Sequence, residues 1–149
     1  MATKKINDLE RGDHIVICKC LLPIPTYHHG IYNGGSMVIH FTDGKGEAKW
    51  ESDTTEKQIR ITKLKSFSLG AEEIEVIDHP DRLYNLEKTA ERANTKRMTG
   101  MGEYDVLKNN CQHFVNWCIY DKATCFTDYV GWAVPGFISK NLHKIWPSS

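Results

Sequence analysis

The spacing of apolar residues changes its period once along the chain, near Asp81, and that change limits the fold more than any other feature. Before it lie short runs: His14-Ile15-Val16-Ile17-Cys18 and Met37-Val38-Ile39-His40-Phe41 are rich in β-branched residues, while Gln58-Ile59-Arg60-Ile61-Thr62 and Glu73-Ile74-Glu75-Val76-Ile77 alternate apolar with polar. A period of two is the pattern of a strand with one buried face. After Asp81, Leu83, Leu86, Ala90 and Ala93 recur at spacings of three and four, opposite Glu87, Lys88, Glu91, Arg92, Lys96 and Arg97. That spacing predicts an amphipathic helix ending near Gly100. The fold class is therefore α+β, an antiparallel β-sheet packed against helices.

Punctuating residues place the elements. Leu9-Glu10-Arg11-Gly12-Asp13 carries a turn signal, so the first strand begins near His14. Pro23 and Pro25 exclude a helix from Leu21 to Thr26, which reads as an extended loop leading to a second strand around His28 to Asn33. Asn33-Gly34-Gly35-Ser36 tolerates positive φ and closes a hairpin onto the Met37 run. Gly44 to Lys57 is charged, without a period that buries a face, and is expected to be an exposed loop. Phe114, Val115, Cys118 and Ile119 predict a second helix starting at Asn110 or Cys111, asparagine being a favoured N-cap.

A chain of 149 residues can be served by one core. The expectation is a single domain over 1–149, with its core at about 9–120 and an apolar extension at 121–149. Within that extension, Tyr129 to Ile138 is nearly all apolar but is broken by Pro135 and too short to span a bilayer. It either packs onto the core or lets the aromatic segment Trp132 to Trp146 meet a membrane surface peripherally.

Lys plus Arg and Asp plus Glu number 19 each, so no strong field favours nucleic acid as a partner. The N-terminus lacks the apolar stretch of a secretory signal, which implies a cytoplasmic chain. Five cysteines, none in paired Cys-x-x-Cys units, argue against a disulfide framework or a zinc site. Cys18 and Cys20 alternate on one face of a strand and read as small core residues.

The chemistry centres on Cys111. A thiolate attacks carbonyl carbon, and a free thiol at neutral pH is mostly protonated. A helix N-terminus supplies partial positive charge and backbone N–H groups, and a neighbouring imidazole can take the thiol proton. The segment Tyr27-His28-His29-Gly30-Ile31-Tyr32 offers such an imidazole, and His40 on the paired strand could hold its other ring nitrogen. The same helix start could stabilise an oxyanion through the Cys111 N–H. His14, His79, His113 and His143 carry no signal favouring catalysis over surface or capping duties. The pairs His28-His29 and His28 to His40 lack a third ligand at metal-site spacing. Spacing alone does not decide between a triad and inert core residues.

His28-His29-Gly30-Ile31-Tyr32-x-Gly34, Val38-Ile39-His40 and Asn110-Cys111-Gln112-His113-Phe114-Val115 resemble the H-box and NC motif of lecithin:retinol acyltransferase-like proteins. That family includes the HRAS-like suppressor phospholipases/acyltransferases; picornavirus H-box/NC proteins share the motifs, and all are related to NlpC-type cysteine peptidases. The resemblance runs from Leu9-x-x-Gly12-Asp13 to Tyr120 and implies a circularly permuted papain-like domain without a cofactor. It implies Cys111 as nucleophile, His28 as general base and His40 as the residue orienting it, with His29 the rival base if the alignment slips by one. Two departures stand out: Gln112 occupies a position where the family usually has Glu, and Tyr27 directly precedes His28, where suppressor-type relatives often carry tyrosine one position earlier.

The implied activity is a thiol-dependent phospholipase/acyltransferase acting on glycerophospholipid esters through an acyl-cysteine. The implied partner is a phospholipid or other acyl donor, met peripherally at a membrane through Trp132 to Trp146. Two alternatives share the fold: a non-enzymatic viral or regulatory protein acting through host protein partners, and a cysteine peptidase or amidase.

Overall fold

Among the described residues six short strands pair side by side, all antiparallel, the inner ones burying apolar side chains on the sheet faces. The structure is a computed structural model that describes residues 2–19, 26–42, 59–105 and 109–124. Its elements are β1 (Ala2–Lys5), a 3-10 turn (Ile6–Asp8), β2 (His14–Lys19), β3 (Thr26–Gly34), β4 (Met37–Phe41) and β5 (Ile59–Lys63). These are followed by α1 (Leu64–Phe67), β6 (Glu73–Ile77), α2 (Leu86–Thr99) and α3 (Cys111–Tyr120). The sheet order is β1-β6-β2-β3-β4-β5. The loop expected at 21–25, Cys20, the segment Gly44 to Lys57 and the aromatic stretch from Trp132 to Trp146 lie outside the described residues.

The α+β expectation holds, and the hairpin falls where expected: β3 and β4 join through Gly34, Gly35 and Ser36, all at positive φ. Two elements differ from the reading. β1 pairs with β6 ahead of the first expected strand, and Leu83, counted on the apolar stripe of the helix, precedes α2 and is exposed. Asn85 ends that stripe by capping α2, its side chain accepting from the Lys88 amide.

The two faces of the sheet bury different partners. One carries Ile15, Tyr32, Val38, Ile74 and Val76, packed with Leu64 and Phe67 of α1. The other carries Ile31, Ile39, Phe41 and Ile59, covered by Ala93 of α2 and by Phe114, Val115, Cys118 and Ile119 of α3. An Arg92 guanidinium lies between the rings of Tyr84 and Trp117, at 4.2 and 3.7 Å from their centroids, and donates to Trp117 O and Asp121 Oδ1. It fastens the C-terminal end of α3 to α2.

The turn before β2 is equally constrained. Asp13, buried, accepts from the Glu10 amide and from Lys4 Nζ, and Gly12 donates to Tyr32 O at 2.7 Å. Gly12 has φ +100°, and a Cβ there would sit 2.0 Å from Leu86 O, inside the backbone that opens α2. Backbone cannot yield as a flexible side chain can. We expect Gly12→Ala to cost on the order of 3 kcal/mol, seen as a lower urea midpoint at unchanged slope. A midpoint within error of the parent would show that the approach of this turn to α2 is not a constraint.

Candidate active site

Successive residues of β3 point to opposite faces, so His28 and His29 enter different surroundings. His28 faces the α1 side. Its Nε2 lies 2.7 Å from His40 Nδ1, the rings meeting edge to face at 82°, and the Phe67 ring stands 5.5 Å from both. The register explains the pairing: Gly30 is opposite His40, which puts His28 and His40 on a diagonal of the same face. Gly30 leaves the room Phe67 needs, since a Cβ there would come 2.8 Å from Val38 Cγ1 and 3.1 Å from Phe67 Cε2. Both histidines are buried.

Cys111 is the first residue of α3 and is buried, at 6% exposure. Asn110 caps the helix: its Oδ1 accepts from the Gln112 and His113 amides at 2.9 and 3.3 Å, and His113 Nδ1 accepts from the Asn110 amide at 3.0 Å. This reciprocal box is a capping duty for His113, as the sequence allowed. The Cys111 amide is not among the two that the cap takes up. A group at this position lies at the end of the helix where the backbone dipole is positive.

The apolar side of α3 packs on the face opposite to that of His28. The pairing of β4 with β3 stops at Gly30–His40, so His28 and His29 lie beyond the last β4-paired residue of their strand. The structure thus brings His28 and His40 into direct contact and sets Cys111 at the capped end of a helix packed on β3 and β4.

His29 faces α3, in surroundings that no local pattern predicts. Gln112 Nε2 lies 3.1 Å from His29 Nε2, His29 Nδ1 lies 2.8 Å from His14 Nε2, and His14 Nδ1 lies 2.8 Å from His79 Nε2. His79 Nδ1 is 2.8 Å from the Tyr120 hydroxyl, which reaches Asp81 Oδ1 at 3.4 Å. His14 and His79, for which the sequence offered no signal of catalysis over surface or capping duties, are buried. Burial pushes His29 and His79 down to about 3, Arg82 adding to the effect at His79, and it drives His14 well below the usual imidazole value. The signal that could have revealed them is the alternation in β2, which sets His14 on the same inward face as Val16; the missing step is the pairing of β6 with β2, which no local pattern encodes.

The remaining cysteines divide by environment. Cys118, in the core between α3 and the sheet, has its thiol pushed up well above the normal range by burial, although Arg92 and Lys96 oppose the shift. It is an inert core residue. Among the described residues no group of three or more histidine, cysteine or acidic side chains could hold a metal ion. No described helix is long and apolar enough to cross a membrane.

Comparison with known proteins gives a consistent picture. The profile of the family described as lecithin retinol acyltransferase matches residues 7–124. The lecithin retinol acyltransferase of Bos taurus is 30% identical over 139 residues, covering 78% of this chain and 56% of the relative. That of Rattus norvegicus is 28% identical over 139 residues, with the same two coverages. That of Homo sapiens is 28% identical over 137 residues, covering 76% of this chain and 56% of the relative. The chain spans about half the length of these curated relatives. No solved structure gives a significant match.

The buried imidazoles set a pH dependence. Their folded pKa values lie below the unfolded value of about 6.5, so they stabilise the fold above that pH, and the contribution is lost as pH falls from about 6.5 toward 3, where only the unfolded chain binds the protons. Urea titrations at pH 7.5 and 5 should differ by on the order of 2–4 kcal/mol, the acidic sample being the weaker. Equal stability at both values would mean that these rings are not held neutral.

Proposed function

The chain belongs to the lecithin retinol acyltransferase family, and from that premise we propose that it is a thiol-dependent acyltransferase or phospholipase, drawing an acyl group from a glycerophospholipid ester onto Cys111. The observation that carries this reading is the 2.7 Å bond between His28 Nε2 and His40 Nδ1. With His40 Nδ1 as acceptor, His28 keeps its proton on Nε2 and presents Nδ1 as a base. The reading requires the thiol at the start of α3 to meet that nitrogen past the end of the β3–β4 pairing.

In the proposed reaction His28 Nδ1 takes the Cys111 proton, and the imidazolium formed is steadied by its bond to His40. The sulfur adds to the ester carbonyl carbon, and the Cys111 N–H donates to the oxyanion. Collapse of the intermediate breaks the bond to the glycerol oxygen, which leaves as lysophospholipid after receiving the proton from His28. An amine or water then attacks the acyl-cysteine, giving up its proton to His28 and releasing the acyl product and the thiol.

His29 is the weaker candidate for the base. Its Nε2 faces Gln112, its Nδ1 faces His14, and burial holds its pKa near 3, far from the range in which a base works at neutral pH. Membrane contact is assigned to the aromatic segment from Trp132 to Trp146, with the phospholipid as partner.

Incubation with phosphatidylcholine vesicles should release fatty acid or transfer it to an added amine, and intact mass should show an acyl adduct lost in Cys111→Ser. His28→Gln should slow turnover by about 10²–10⁴-fold. His40→Asn should fall less, because an amide oxygen can still accept from His28 Nε2. Absence of both fatty acid release and adduct from folded protein would remove the lipid reading; turnover of peptide amides instead would move the chain to the peptidase alternative.

A further inference from the structure

The line of buried side chains behind Cys111 has an internal logic that the proposed reaction does not use. Its three histidines come from three neighbouring parts of the sheet. His14 on β2 is opposite Ile31 of β3 and Ile77 of β6, so His29 and His79, each two residues away from those partners, lie diagonally to either side of it. Ring centroids are 5.1 Å apart in both pairs. Each imidazole uses one nitrogen toward each neighbour. The nitrogens therefore meet one another and do not converge on a point, which is the geometry of a chain and not of a metal site.

The ends decide the direction of the protons. Asp81, as a carboxylate, can only accept, so the Tyr120 hydroxyl donates to it and must accept from His79 Nδ1. A neutral His79 with its proton on Nδ1 accepts at Nε2 from His14 Nδ1. His14 in turn accepts at Nε2 from His29 Nδ1, and His29 accepts at Nε2 from the Gln112 amide. Every bond is satisfied in this one direction. Reversed, the chain would turn the Tyr120 proton inward and leave the Asp81 carboxylate without it. All three rings are then the Nδ1–H form, opposite to the tautomer a free histidine side chain prefers.

The two ends also grip the same helix. Gln112 is the second residue of α3, next to Cys111, and Tyr120 is its last. We propose that Gln112, His29, His14, His79 and Tyr120 form a directional hydrogen-bonded strut that sets α3 on the sheet from both ends. His29, His14 and His79 thereby become positioning residues for Cys111. The proposal rests on the reading of Cys111 as nucleophile. An amide closes the inner end, and an amide does not relay protons, so the strut holds geometry and does not conduct. Arg82, facing His14 and His79, further disfavours a cationic ring; Asp13, Asp78 and Tyr120 face Arg82 in turn.

Long-range nitrogen–proton NMR spectra of the full chain at pH 7 test this directly. All three rings should be neutral and protonated on Nδ1. Asp81→Asn can donate as well as accept, so it lifts the constraint at the outer end; a second set of signals with the proton on Nε2 should appear, and Asp81→Glu should restore the single set. In Asp81→Asn and in Tyr120→Phe, alkylation of Cys111 by iodoacetamide, read by peptide mass, should slow by between about two- and tenfold. A wild-type ring that is cationic or protonated on Nε2 would overturn the strut. So would unchanged tautomers in both Asp81→Asn and Tyr120→Phe, or altered tautomers with alkylation at the parental rate. These readouts need no lipid: if they hold while phosphatidylcholine is not turned over, only the substrate reading fails.

Discussion

Adjacent residues on a strand cannot share a face, and in this protein that rule separates His28 from His29. One imidazole goes to His40 and Phe67 on the α1 side, the other to Gln112 and His14 on the α3 side. A slip of one residue in β3 would exchange them and turn Ile31 away from Phe114 and Val115. Register is thus held by the core and by the histidines together. The hairpin turn at positive φ and the bulge between Tyr32 and Gly34 hold the same register from the loop end.

Position of Cys111 depends on α3, a ten-residue helix too short to be stable by itself. Its order comes from what surrounds it: the Asn110–His113 box at the start, Arg92 at the end, and the apolar stripe between them. Arg92 is on α2, and α2 is held by the Gly12 turn, by Arg11 paired with Glu87 and by Asn94 donating to Asn33. The glycine and aspartate of Leu9-x-x-Gly12-Asp13 therefore act on the site through two helices, although the turn itself carries no chemistry.

Much of this was legible in the sequence because its causes are local. Runs rich in β-branched residues marked β2 and β4, alternation marked β5 and β6, the glycine turn marked the hairpin, and Asn110 before an apolar run marked the start of α3. Leu83 misled because the spacing of apolar residues does not reveal where a cap cuts the stripe; Asn85 does so. β1 was missed because Ala2-Thr3-Lys4-Lys5 is nearly all polar and becomes a strand only through the edge that β6 offers. At the candidate site, the His28–His40 diagonal follows from a hairpin of known turn, and so was open to reasoning. The chain through His14 and His79 was not, because it depends on β6 lying beside β2 across more than fifty intervening residues.

Two kinds of buried histidine follow from one sheet, and the difference is in what each ring is asked to do. In the proposed reaction His28 gains and loses a proton, so the His40 ring beside its Nε2 has to serve the neutral and the charged form alike. His14 and His79 are surrounded by groups that fit only the neutral form, and charging either would set its Nε2 donor against a neighbouring ring's donor. Such a chain is stiff for the same reason that it is chemically silent: no ring can turn or change state without breaking the bonds of its neighbours. An element that resists protonation is well suited to stand behind the proposed nucleophile, whose own state would change, because the proposed reaction alters charge on one side of β3 while the geometry of α3 is held from the other.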